Sequence, residues 1–84
     1  MAKVTVTPEA LREIGRLPRP IQQRILAIVV RLERWPAVGG AKPLRGKLAG
    51  HHRIRTGDYR VQFRLDGDNL IVERAGHRDG FYED

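Results

Sequence analysis

The sequence predicts an α+β domain in the order β-α-α-β-β-β, an antiparallel-rich sheet with an N-terminal helical hairpin packed on one face. Three observations predict it. Two apolar stripes at helical spacing lie in the first half of the chain, separated by a proline turn. Three strand-like segments fill the second half, separated by Gly-Asp turns. A short alternating segment opens the chain. The 84 residues allow one domain, spanning 1–84.

Lys3-Val4-Thr5-Val6-Thr7 alternates polar and apolar, as a strand with one buried face does. Thr7-Pro8-Glu9 then has the features of a helix start: a capping hydroxyl, a proline at the first helical position and an acid near the positive end of the dipole. Leu11, Ile14 and Leu17 follow at helical spacing, and Leu17-Pro18 stops the helix. Ile21, Ile25, Ile28, Val29 and Leu32 make one stripe of a second helix, which Trp35-Pro36 ends. Residues 37–49 are rich in Gly and Pro and read as a loop, with a short strand or turn near Leu44. The three C-terminal strands run His51 to Arg55, Tyr59 to Leu65 and Asn69 to Ala75, joined through Thr56-Gly57-Asp58 and Asp66-Gly67-Asp68.

Composition narrows the chemistry. There is no cysteine, which excludes disulfides and thiolate metal sites. The three histidines have no partner at a metal-ligand spacing, so neither metal nor cofactor is expected. No apolar run is long enough to span a bilayer, and the N-terminus lacks a signal-peptide core, which points to the cytoplasm and away from a membrane. The formal charge of +6 suits an anionic partner.

Strand alternation locates the charge. Tyr59, Val61, Phe63 and Leu65 share a core face, so Arg60, Gln62 and Arg64 point the other way. Ile54 is apolar in the preceding strand, so Arg53 and Arg55 also point outward. Hairpin pairing sets these arginines side by side, with Lys42, Arg45 and Lys47 as a rim. Like charges on paired strands are unfavourable, and only Asp58 lies nearby as a counterion, so the face is expected to meet phosphate. An acidic protein segment is the other ligand of suitable charge.

Gly76-His77-Arg78 and Tyr82 follow the last strand. RNA can be cut without a metal when its 2′-hydroxyl attacks the adjacent phosphate. The protein must then take up the 2′-OH proton, stabilise charge on phosphorus oxygens and protonate the leaving 5′-oxygen. Arginines suit the second task, and His77 or Tyr82 can serve proton transfer.

Leu44-Arg45-Gly46, His52-Arg53-Ile54-Arg55, Gly57-Asp58-Tyr59-Arg60-Val61 and Gly76-His77-Arg78 with Tyr82 together resemble the RelE branch of the RelE/ParE toxin superfamily. The resemblance spans essentially the whole chain. It implies a microbial-RNase-like fold and the toxin of a type II toxin–antitoxin pair. The implied activity is an endoribonuclease (mRNA interferase) that cleaves mRNA, in many members within the ribosomal A site, and so inhibits translation. The implied partner is a RelB-like antitoxin, the complex repressing its own operon through operator DNA. By position, Arg53 and Arg55 match the basic pair, Arg60 the holder of the scissile phosphate, Arg78 a charge stabiliser and Tyr82 the base-stacking tyrosine. His77 stands where relatives have histidine or lysine.

Well-known members carry lysines where this chain has Arg53 and Arg55, and arginine effectively never loses its proton. The base then falls to His77, Tyr82 or His52, or proton removal is partly left to water. His52 and Arg64 complete the expected RNA-binding set. A ParE-like DNA gyrase inhibitor and a non-catalytic nucleic-acid-binding homologue are the alternatives.

Overall fold

The computed structural model describes residues 2–80. Strand β1 (Lys3–Val6) leads into α1 (Pro8–Gly15) and α2 (Arg19–Arg31), which a 3₁₀ turn (Leu32–Arg34) extends. Then come β2 (Lys42–Pro43), a 3₁₀ turn (Gly46–Leu48), β3 (His51–Thr56), β4 (Tyr59–Asp66), β5 (Asn69–His77) and a last 3₁₀ turn (Arg78–Gly80).

The expected order lacked one strand. The Gly/Pro-rich loop contributes the two-residue β2, which pairs antiparallel with β3, Lys42 opposite Arg53. The sheet order is β1-β5-β4-β3-β2. The three C-terminal pairings are antiparallel, whereas β1 runs parallel to β5, Lys3 opposite Asn69 and Val6 opposite Val72. The helical hairpin carries the chain from β1 to β2, at opposite edges of the sheet.

The local signals behave as their chemistry demands. Thr7 caps α1, its hydroxyl accepting from the Ala10 N–H at 3.1 Å. Both C-terminal hairpins turn on two residues, Gly57-Asp58 and Gly67-Asp68. Each places glycine first at positive φ, 60° and 61°, which a side-chain-bearing residue rarely adopts.

Ile25, Ile28 and Leu32 from α2 and its extension pack with Ala10 and Ile14 from α1 against Ile54, Val61, Phe63, Leu70, Val72 and Ala75. Burying large aliphatic and aromatic side chains contributes about 1.5–3 kcal/mol each before the entropy of ordering them is subtracted. Two expected core positions differ. Leu11 is exposed, because Ala10 and Ile14 form the inward face of α1. Leu65 is 40% exposed, because it lies at the sheet end beyond the cover of the helices. Among the described residues no helix is long and apolar enough to cross a membrane.

Candidate nucleic-acid interface

The register places the cations where alternation put them. Arg55 is directly opposite Arg60, Arg53 opposite Gln62, and His51 opposite Arg64. Lys42 extends the row across β2, opposite Arg53. Partners opposite one another share a face, so Lys42, His51, Arg53, Arg55, Arg60, Gln62 and Arg64 all lie on the side away from the aromatic core.

This face is less open than its sequence suggests. Arg53 and Arg60 are buried, at 6% and 5% exposure, and Gln62 is buried with them. Leu44, itself buried, and the 3₁₀ turn that follows carry the chain across this side. Two grooves remain along the β2 edge. One of about 250 Å³ is lined by Lys42, Pro43, Leu44, Arg45 and Arg53. The other, of about 190 Å³, is lined by Gly40, Lys42, Arg53 and Arg55. Arg45 and Lys47 are exposed at this rim. The groove walls are cationic, and guanidinium and ammonium groups at this spacing can grip successive phosphates.

The face also holds an acid that alternation missed. A bulge between β4 and β5 at Gln62/Phe63 resets the pairing from Arg74 to Val72, so Glu73 and Arg74 both point to the cationic side. Glu73 accepts from Nδ1 of His51 and from Nε2 of Gln62 (3.0 Å), and its second oxygen is 3.6 Å from Nε of Arg64. Arg64 is therefore tied to a carboxylate on the sheet itself.

Two expected site residues sit on the opposite side. His52 faces the core, stacked on Phe63 at 5.5 Å and edge-on to Trp35 at 4.9 Å. Its Nδ1 is buried with no hydrogen-bond partner among the described residues. Burial, and secondarily the neighbouring His51, hold its pKa below the ordinary 6.5. His77 pairs with Tyr59, and their rings meet edge-to-face at 5.3 Å, whereas the β5 partner of Arg60 is Gly76. His77 Nδ1 accepts from the Asp79 N–H at 3.2 Å. The same nitrogen lies 3.4 Å from Oδ2 of Asp79. Arg78 is exposed in the final 3₁₀ turn, its N–H bonded to the Asp58 carbonyl at 2.8 Å beside the β3–β4 hairpin. Tyr82 lies outside the described residues. Among the described residues no three His, Asp or Glu side chains group as metal ligands.

Known proteins share this architecture. The family described as ParE toxin of type II toxin-antitoxin system, parDE, matches residues 4–80. Toxin RelG of Mycobacterium tuberculosis is 38% identical, with 94% of this chain and 93% of that protein covered. Toxin RelE3 of Methanocaldococcus jannaschii is 29% identical, with 96% of each chain covered. Among solved structures, one chain of the toxin-antitoxin complex RelBE2 from Mycobacterium tuberculosis is similar with a TM-score of 0.80 and 32% identity, over 92% of this chain and 98% of that one. The isolated E. coli RelE toxin has a TM-score of 0.75 at 17% identity over 92% and 84%, a likeness of fold. A match over nearly the whole length, with relatives that are themselves toxins, places this chain in the ParE toxin family of type II toxin–antitoxin systems, within the RelE/ParE superfamily.

Proposed function

We propose that this toxin is a metal-independent endoribonuclease that cuts mRNA, in the ribosomal A site, and thereby stops translation in the cytoplasm. One toxin domain over 1–84 carries the activity. The observation that supports it most is the pairing of Arg55 with Arg60 across β3 and β4, with Arg53 beside them on the same face. Guanidiniums set opposite one another concentrate positive charge, which suits an anionic ligand. A phosphate passing to a phosphorane gains charge on its non-bridging oxygens, and fixed cations stabilise that state more than the ground state. The 2′-oxygen attacks phosphorus, the P–O5′ bond breaks, and the products are a 2′,3′-cyclic phosphate and a 5′-hydroxyl.

Arg53, Arg55 and Arg60 hold and neutralise the scissile phosphate. Arg78 adds charge from the adjoining turn, and Tyr82 stacks on the substrate base as the family resemblance implies. Lys42, Arg45 and Lys47 grip flanking phosphates. The partner is a RelB-like antitoxin, a reading supported by a similar chain in the RelBE2 complex, with operator DNA bound only by the pair. Antitoxin bound to the folded toxin stabilises it by mass action.

The second reading is inhibition of DNA gyrase, favoured by the parDE wording of the matching family. Primer extension on mRNA from translating ribosomes exposed to the purified toxin separates the two. New 3′ ends positioned by codon are expected. Intact mRNA with blocked supercoiling by gyrase would overturn the ribonuclease reading.

A further inference from the structure

The arginine face lacks an evident base. Arginine does not deprotonate under these conditions. His52 and His77 both lie on the other side of the sheet, opposite Phe63 and Tyr59. One histidine remains on the cationic face, and it is His51.

His51 is tied to a carboxylate. Its Nδ1 meets Oε1 of Glu73. An ionised carboxylate only accepts, so the imidazole proton sits on Nδ1 and Nε2 carries the free lone pair. Glu73 is itself fixed by the Gln62 amide at 3.0 Å and by Arg64 at 3.6 Å. Both members of the pair are mostly covered, at 23% and 21% side-chain exposure. This is the arrangement of a base held by an orienting acid. The pair lines a cleft of about 670 Å³ between α1 and the sheet, which Arg12, Arg16 and Arg74 also line, with Glu9 beside Arg12 and Glu13 beside Arg74. His51 and Arg53 are two residues apart on one strand face, roughly 7 Å, a span that an arginine side chain covers. His51 therefore borders the arginine row on its α1 side, while Arg53 lines the grooves at the β2 edge.

We propose that His51 is the general base of this toxin and that Glu73 positions it. The inference rests on the ribonuclease reading above. Nε2 of His51 takes the proton of the RNA 2′-hydroxyl as the 2′-oxygen bonds to phosphorus. The P–O5′ bond breaks, and the leaving 5′-oxygen takes a proton from water. The imidazolium, stabilised by Glu73, then returns its proton to solvent. Glu73 does not touch the substrate.

Single-turnover cleavage of ribosome-bound mRNA by the full chain tests this, with circular dichroism and antitoxin binding as checks of fold. His51→Ala is expected to lower the rate by about 100-fold or more at unchanged RNA affinity. Added imidazole is expected to restore activity in proportion to its concentration. Glu73→Gln should reduce kcat with KM unaltered. A parent protein that cuts mRNA beside a His51→Ala variant of equal rate overturns the base assignment and leaves the ribonuclease standing. If His51→Ala does not fold, Glu73→Gln decides, since an unchanged rate overturns the pairing. A parent protein that makes no cut overturns both readings.

Discussion

The carboxylate of Glu13 accepts the backbone N–H of Ala75 at 3.0 Å, closing the edge of β5 beyond the point where β1 ends. Its other oxygen lies 3.3 Å from Nη2 of Arg74. One helix side chain thus does the work of a missing strand. Glu13→Ala is expected to destabilise the fold by about 1–3 kcal/mol, because it orphans a backbone donor at a buried residue. Urea unfolding should show a lower midpoint at an unchanged slope. An unshifted midpoint would mean that water satisfies Ala75 equally well.

Arg55 and Arg60 should separate activity from stability. Arg55 is exposed and Arg60 is buried. Arg55→Ala should lower RNA cleavage by about 100-fold, in the range of a lost charge-stabilising donor. Its stability should stay within about 0.5 kcal/mol of the parent, as for an ordinary surface change. Arg60→Ala should lose both cleavage and stability. Paired melting and cleavage assays check this, and full cleavage by Arg55→Ala would remove it from the site.

The rim cations should act through the phosphate backbone alone. Removing Lys42, Arg45 or Lys47 singly should weaken RNA binding whatever the base sequence. Each should make the slope of log K against log salt shallower by about 0.7 for a single strand. Filter binding across a salt series measures it. A sequence-dependent loss would show that the residue reads bases.

His52 should make the fold acid-sensitive. Its pKa is lowered in the folded state, while in the unfolded chain it takes its ordinary value of 6.5. The unfolded state therefore binds the proton first. Stability is full above pH 6.5 and falls as the pH drops from there through the folded-state value. The comparison is with His52→Phe, which keeps a ring between Trp35 and Phe63. The variant should lose stability less steeply between pH 7 and 5 by denaturant titration. Equal slopes would clear His52 of the effect.

Much of this molecule is legible in its sequence because the rules involved are local. Thr7-Pro8 marks a helix start, Gly57-Asp58 a two-residue hairpin, and period-2 alternation sorts Arg60 from Val61. What escaped depends on non-local events. Glu73 joins the cationic face only because a bulge resets the pairing partway along β5, and no residue type announces that bulge. Arg53 shares its groove with Leu44 and Arg45, a loop contact that strand alternation does not reveal. His77 falls on the far side of the sheet because β5 runs on past Ala75, and strand length is poorly written in composition. His51 was passed over because its acid partner is on β5, 22 residues away.

The parallel match of β1 with β5 has a temporal side. Lys3 precedes its partner Asn69 by most of the domain. The β3–β4 hairpin that carries Arg55 and Arg60 can close locally, but β1 waits for a neighbour that is synthesised after β2, β3 and β4. Until then Val4 and Val6 have no sheet to join. Completion of the core therefore hangs on a contact of long sequence separation, the kind that forms last.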